Sequence, residues 1–211
     1  MEELKYWLGF SLVKGIGPVR FRNLLEYFGS AREAWEARPE ELARAGLDRR
    51  SIENLLAVRK RVSLDQEMEK LQKVGIRLVS WKDEDYPYNL RHVENPPFLL
   101  FVKGTLKPQD EWAIAVVGTR RPSVYGKEAT RFLVEPLARS GVTIVSGLAK
   151  GIDGLAHQVA LEAGGRTIAV LGSGLDIIYP PEHKSLAQAI TENGALISEY
   201  PLGTPPEATN F

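Results

Sequence analysis

The sequence contains no cysteine, which excludes disulfides and thiolate metal sites and makes a cytoplasmic address the simplest expectation. It has no apolar run approaching the roughly 18–20 residues that a membrane span requires. Its start, Met1-Glu-Glu-Leu-Lys5, lacks the basic stretch and apolar core of a signal peptide. Net charge is missing too: 27 Lys and Arg balance 27 Asp and Glu. That argues against a generally basic nucleic-acid coat but leaves room for a local basic patch. Ser or Cys nucleophile motifs and paired His at ligand spacing are absent, so neither catalysis nor a metal or other cofactor is expected. What remains is an ordinary globular composition, 44% hydrophobic and 26% charged, on a chain long enough for one or two domains.

The most informative feature present is a recurrence. Three short apolar runs, Ile114–Val117, Thr143–Val145 and Thr167–Leu171, each end in a glycine-containing loop and then enter a helical pattern. Runs of this kind read as buried parallel strands, and the carboxyl ends of parallel strands share the edge where open α/β sheets bind ligands. The three loops are therefore expected to converge, lining one site with backbone N–H groups, helix N-termini, Arg120 and Lys150. Such a site suits phosphate.

Residues 1–65 read as helical throughout, broken by Gly15-Ile-Gly17-Pro18, Gly29-Ser30 and Gly46. Residues 66–110 add a short helix (66–74), a strand (76–80), a loop through Tyr86-Pro87 and a strand (97–102). From about 111, strand and helix alternate as in a doubly wound parallel sheet. Helices are expected near 123–139, 153–163 and 181–192, with Ser123 and Asp153 as N-caps. Pro136 is expected to kink the first of these or end it early. The fold expected is thus a small all-α domain (1–65) followed by an α/β, extended Rossmann-like parallel-sheet domain (66–211). The strand 195–199 leads into a loop without a closing element, so this second domain is expected to be incomplete at its C-terminal end.

Each motif admits two readings. Val13-Lys14-Gly15-Ile16-Gly17-Pro18-Val19-Arg20 is the hairpin of a helix-hairpin-helix. It either offers Gly15 and Gly17 N–H groups to a DNA phosphate, with Lys14, Arg20 and Arg22 adding charge, or serves packing and protein contacts. In Gly118-Thr119-Arg120-Arg121, Arg120 is read as a phosphate fork, whereas Arg121 is equally a surface ion-pair residue. In Ser146-Gly147-Leu148-Ala149-Lys150-Gly151-Ile152-Asp153, Gly147 and Gly151 let backbone approach a ligand. Lys150 supplies a point charge and Asp153 caps the next helix. The order of a Walker P-loop is absent. Gly172-Ser173-Gly174 lacks the third glycine of a dinucleotide fingerprint and follows the wrong strand for one. Tyr179 stacks on a base or packs in the core. His157 lies opposite the apolar positions of its helix, and Glu199, on the ligand edge, is expected to orient an arginine.

Taken together, these residues resemble the DprA/Smf DNA-processing family. The resemblance runs through Tyr86-Pro-x-x-Leu90, Pro96-Pro-x-x-Leu-Phe-x-Lys-Gly104, Val117-Gly-Thr-Arg120 and Ser146-Gly-x-Ala-Lys-Gly-Ile-Asp153-x-x-Ala-His157. It continues through Gly172-x-Gly174-x-Asp176-x-x-Tyr179-Pro180 and Ser198-Glu-Tyr-Pro-x-Gly203. It implies sequence-independent binding and protection of single-stranded DNA and loading of the RecA recombinase during natural transformation. It also implies homodimerisation of the full-length protein, and DNA contacts at Gly118, Arg120, Ser146, Lys150, Gly174 and Tyr179. Relatives continue past the position of Phe211 with a basic segment and further Rossmann elements, so weaker DNA binding and dimerisation are expected of this chain. The competing expectation is a phosphoribohydrolase-like nucleotide-binding enzyme of the same fold. That enzyme would need a Pro-Gly-Gly-x-Gly-Thr-x-x-Glu motif, which the sequence lacks.

Overall fold

The computed structural model describes residues 2–210. Six helices come first: α1 (Leu4–Ser11), α2 (Pro18–Phe28), α3 (Ala31–Glu36), α4 (Pro39–Arg44), α5 (Arg49–Arg61) and α6 (Leu64–Lys73). Strand β1 (Arg77–Ser80), helix α7 (Tyr88–Arg91) and strand β2 (Leu99–Gly104) follow. The remainder alternates: β3 (Ala113–Ala115), α8 (Val124–Arg139), β4 (Thr143–Ser146), α9 (Ile152–Glu162), β5 (Thr167–Val170), α10 (Lys184–Glu192) and β6 (Gly194–Ser198).

The strands form one sheet in the order β1-β2-β6-β5-β4-β3. The run β6-β5-β4-β3 is parallel, and β2 and β1 extend it antiparallel beyond β6. The fold is therefore α/β, with a mostly parallel sheet behind a helical unit. Each of α8, α9 and α10 carries the chain to the adjacent parallel strand in the same direction, and right-handed crossovers then place all three helices on one face. On that face Ile144 packs with Val134, Ala156 and Val159, and Ala169 and Leu196 pack with Ala187 and Ile190. The other face carries Val145, Ile168, Val170 and Ile197. Among the described residues it is flanked by the 84–111 segment and by Glu199, Tyr200 and Asn210, leaving a groove of about 1030 Å³. Only the one-turn α7 and the 3-10 turn Pro108–Glu111 border this face among the described residues, which therefore lack the long covering helices that a doubly wound sheet carries on its second face.

The helical unit shares its core with the sheet. Phe21 stacks on Phe98 at 4.3 Å and Trp7 meets Trp81 edge-on at 5.9 Å, joining Phe10, Leu24 and Leu55 to Phe101 and Leu196 in one buried cluster. Aromatic pairs of this geometry stabilise by about 0.5–1.5 kcal/mol beyond the area they bury. Beneath the sheet, Arg166 and Asp110 form a buried pair (Nε–Oδ1 2.5 Å; side chains 4% and 9% exposed). The Asp110 carboxylate also accepts from Thr143 Oγ1 and the Lys107 N–H.

Two local expectations are corrected. Helix α8 is not ended early by Pro136 but runs through it to Arg139; the carbonyl that loses its donor belongs to Phe132, a residue 80% exposed, so the lost hydrogen bond falls on the solvent side of the helix. The third crossover opens with a separate 3-10 turn, Pro181–His183, before α10 begins at Lys184.

Candidate nucleic-acid interface

The loop after β3 and the loop after β4 are built as one body. Asp153 lies inside the first turn of α9, whose N-cap is Gly151. Its carboxylate accepts from the Gly118 N–H (3.3 Å) and the Gly147 N–H (3.1 Å). This replaces the capping role expected of Asp153: the side chain clasps two loops instead of closing its own helix. Gly118 is pressed against Ile152, where a Cβ would come within 2.7 Å of Cγ1. Gly151, at φ +84°, leaves no room for a Cβ, which would lie 2.3 Å from the Thr119 carbonyl oxygen and 2.8 Å from the Arg120 Cα. The Ile152 N–H completes the junction by donating to the Thr119 carbonyl (3.2 Å). Arg120 therefore sits directly over Gly151, next to Lys150 in the chain.

The third loop reaches this junction, but not through its glycines. His183 Nδ1 bonds the Leu148 carbonyl at 2.8 Å, and its ring lies so close to α9 that a Cβ on Gly154 would be 2.5 Å from Cε1. From the same 3-10 turn, Glu182 Oε1 meets Lys150 Nζ at 2.5 Å. That bond holds the Lys150 ammonium above its usual pKa and the Glu182 carboxyl below its own. Tyr179, just before the turn, is 47% exposed, so it is not the packed core ring that the sequence also allowed.

Thr119, Arg120, Arg121 and Lys150 are exposed, and among the described residues neither arginine is in an ion pair. Four expected contacts are placed differently. Ser146 is buried and its hydroxyl donates to the Val116 carbonyl (2.6 Å), tying the ends of β3 and β4. The N–H groups of Gly118 and Gly147 are engaged by Asp153. Gly174 is buried under the turn that follows β6: its N–H donates to the Thr204 carbonyl (3.0 Å), and a Cβ would meet the Pro201 carbonyl at 2.6 Å. These residues shape the rim, and side chains provide its charge.

His157 is fully buried rather than opposite the core. Its Nδ1 is 2.6 Å from Thr167 Oγ1, which itself donates to the Ile144 carbonyl. Glu199 orients no arginine among the described residues; it borders the groove on the other face beside Tyr86 and Tyr200.

In the helical unit, Gly15 has φ +96° and would crowd Ser51 Oγ. Arg20 spans the hairpin, donating to the Gly15 carbonyl (2.6 Å) and Ser51 Oγ (2.8 Å) and pairing with Asp48. Asn54 holds the Lys14 carbonyl at 2.8 Å. Arg20 is thereby a staple between the hairpin and α5. Lys14 remains exposed. Gly17 is extended, with open space around its Cβ position, so no tight turn requires glycine there.

Fold and rim together define a Rossmann-like α/β protein with a helix-hairpin-helix unit packed on its sheet and a basic edge at the ends of β3 and β4. Comparison with known proteins narrows the class. Residues 77–211 match the family model described as DNA recombination-mediator protein A, and residues 5–60 match the DprA-like N-terminal HHH domain. The chain belongs to the DprA/Smf family. It is 41% identical to Protein Smf of Synechocystis sp. over 215 residues, covering 100% of this chain and 54% of that protein. It is 39% identical to DNA processing protein DprA of Bacillus subtilis over 138 residues, covering 65% and 46% respectively. The chain thus spans about half the length of the curated relatives it matches. Among solved structures, DprA of Streptococcus pneumoniae superposes with a TM-score of 0.79 at 30% identity, over 98% of this chain and 71% of that one. DNA processing protein A of Helicobacter pylori, whose single-stranded DNA binding mode has been described structurally, gives a TM-score of 0.56 at 34% identity, over 64% and 61%. No helix among the described residues is long and apolar enough to cross a membrane.

Proposed function

We propose that this chain holds the backbone of single-stranded DNA, without reading its sequence, along the rim formed by Thr119, Arg120, Arg121, Lys150 and Tyr179. In this reading the two arginines and Lys150 neutralise successive phosphates. Tyr179 offers its exposed ring to a base; such stacking contributes about 1–3 kcal/mol per base. The observation that carries the reading is the contact of Gly151 with Thr119 and Arg120, which brings the backbone that bears Arg120 against the residue following Lys150. The Helicobacter pylori relative supports it independently. Protection of the strand, loading of RecA, dimerisation and a cytoplasmic site of action belong to the same proposal, as the family resemblance implies them. A phosphoribohydrolase-like pocket is supported less, because Gly174 is covered by the turn at Pro201–Thr204.

Titration of a fluorescent oligothymidylate at several salt concentrations tests the reading. Arg120→Ala weakens binding and flattens the slope of log K against log salt by about 0.7, the loss of one single-strand phosphate contact. Lys150→Ala also weakens binding. Both side chains are exposed, so thermal unfolding is unchanged. Parent-like binding by both variants overturns the assignment.

A further inference from the structure

The Lys150–Glu182 pair does little for the fold. Its members are 56% and 53% exposed, and exposed pairs contribute about 0–1 kcal/mol. The third loop is already fixed to the second by the His183 bond to the Leu148 carbonyl and by the close fit of its ring against Gly154. Nor does Lys150 need a partner to stay in solution. What the pair does change is the rim's charge: it leaves Arg120 and Arg121 as cations and cancels Lys150.

We infer that Glu182 is an internal competitor for the phosphate contact of Lys150, so that this lysine engages a strand only by exchanging a carboxylate for a phosphate oxygen. The inference rests on the single-strand reading above and adds a regulating residue to it. No bond forms or breaks in the exchange; one ion pair replaces another, and the freed carboxylate is left in solvent at the rim. Anchoring would then begin at Arg120 and Arg121, with Lys150 recruited where a phosphate is held close enough to displace Glu182. Glu182 accordingly weakens the contact of every anion with Lys150, and costs strands that span the whole rim less than isolated or poorly placed anions.

Four proteins test this by oligothymidylate titration across a salt series: the parent, Glu182→Gln, Lys150→Ala and the double variant, with Arg120→Ala as a control for the reading itself. Glu182→Gln is expected to bind about two- to fivefold tighter at low salt, with a slope steeper by about 0.7 because Lys150 now counts as a full cation. Both gains vanish when Lys150 is also replaced. If Glu182→Gln binds like the parent while Arg120→Ala binds more weakly, the competitor role is wrong and the single-strand reading stands. A gain that persists without Lys150 is a general charge effect and also overturns the inference. If neither the parent nor Glu182→Gln binds the oligonucleotide, both proposals fall.

Discussion

Asp110→Ala will lower the free energy of unfolding by about 3–5 kcal/mol, the cost of leaving one member of a buried ion pair uncompensated. Arg166 reaches Asp110 through both Nε and Nη2, and Nη2 also donates to the Thr105 carbonyl. Its Nη1 is buried without a partner, so the guanidinium has no spare acceptor when the carboxylate is removed. Thr143 and the Lys107 N–H lose their acceptor at the same time. The segment between β2 and β3 is thereby released from the foot of β4 and β5. Urea denaturation at pH 7 measures the loss. Replacing Asp110 and Arg166 together by Leu and Met should cost far less, since a buried pair exchanged for packed apolar groups is often neutral. An Asp110→Ala variant within 1 kcal/mol of the parent contradicts the account.

The second large effect depends on pH. Burial, with the charge of His183 as a smaller contribution, pushes the His157 imidazole down to about 4, against about 6.5 in an unfolded chain. The folded state therefore keeps His157 neutral while the unfolded state takes up a proton. Above pH 6.5 the residue contributes no pH dependence. As pH falls from about 6.5 to about 4 the unfolded state gains, and stability drops by about 3 kcal/mol through this group alone. Two readouts check this. The His157 ring resonances of the folded protein should not titrate between pH 7 and 5, and His157→Gln should flatten the fall of the urea midpoint over the same range. A ring that titrates near 6.5 would contradict the burial.

These two sites also mark the limits of what the sequence makes legible. Strand runs, the order of crossovers and the Ser123 cap, whose Oγ accepts the Gly126 N–H, follow from local patterns, and the structure repeats them within one or two residues. The junction of the Thr119–Arg120 backbone with Gly151 is legible for the same reason: glycines at strand ends signal close backbone approach, and parallel strands bring their ends together. Long-range pairing carries no such signal. Asp153 at a helix start looks like a cap, and only the arrival of Gly118 and Gly147 above it makes it a clasp. Gly174 looks like part of a phosphate loop until a turn some 27 residues later, at Pro201–Thr204, closes over it. His157 looks exposed by helical periodicity, but α9 is packed between the sheet and two helices, so nearly every direction from it is buried. Glu182 gave no local cue beyond an acid following Tyr179-Pro180-Pro181. Its importance arises from a contact across 32 positions with Lys150.

The account rests most heavily on the loops after β3 and β4 forming one anion-holding body together with the Tyr179–His183 segment. Amide spectra of the isotope-labelled chain titrated with oligothymidylate address this directly. The predicted result is a common, saturable shift of Thr119–Arg121, Lys150, Gly151 and Tyr179–His183 with a single dissociation constant, while Gly174 stays unmoved. Separate dissociation constants for the Arg120 and Lys150 loops, or shifts confined to residues away from them, would contradict it.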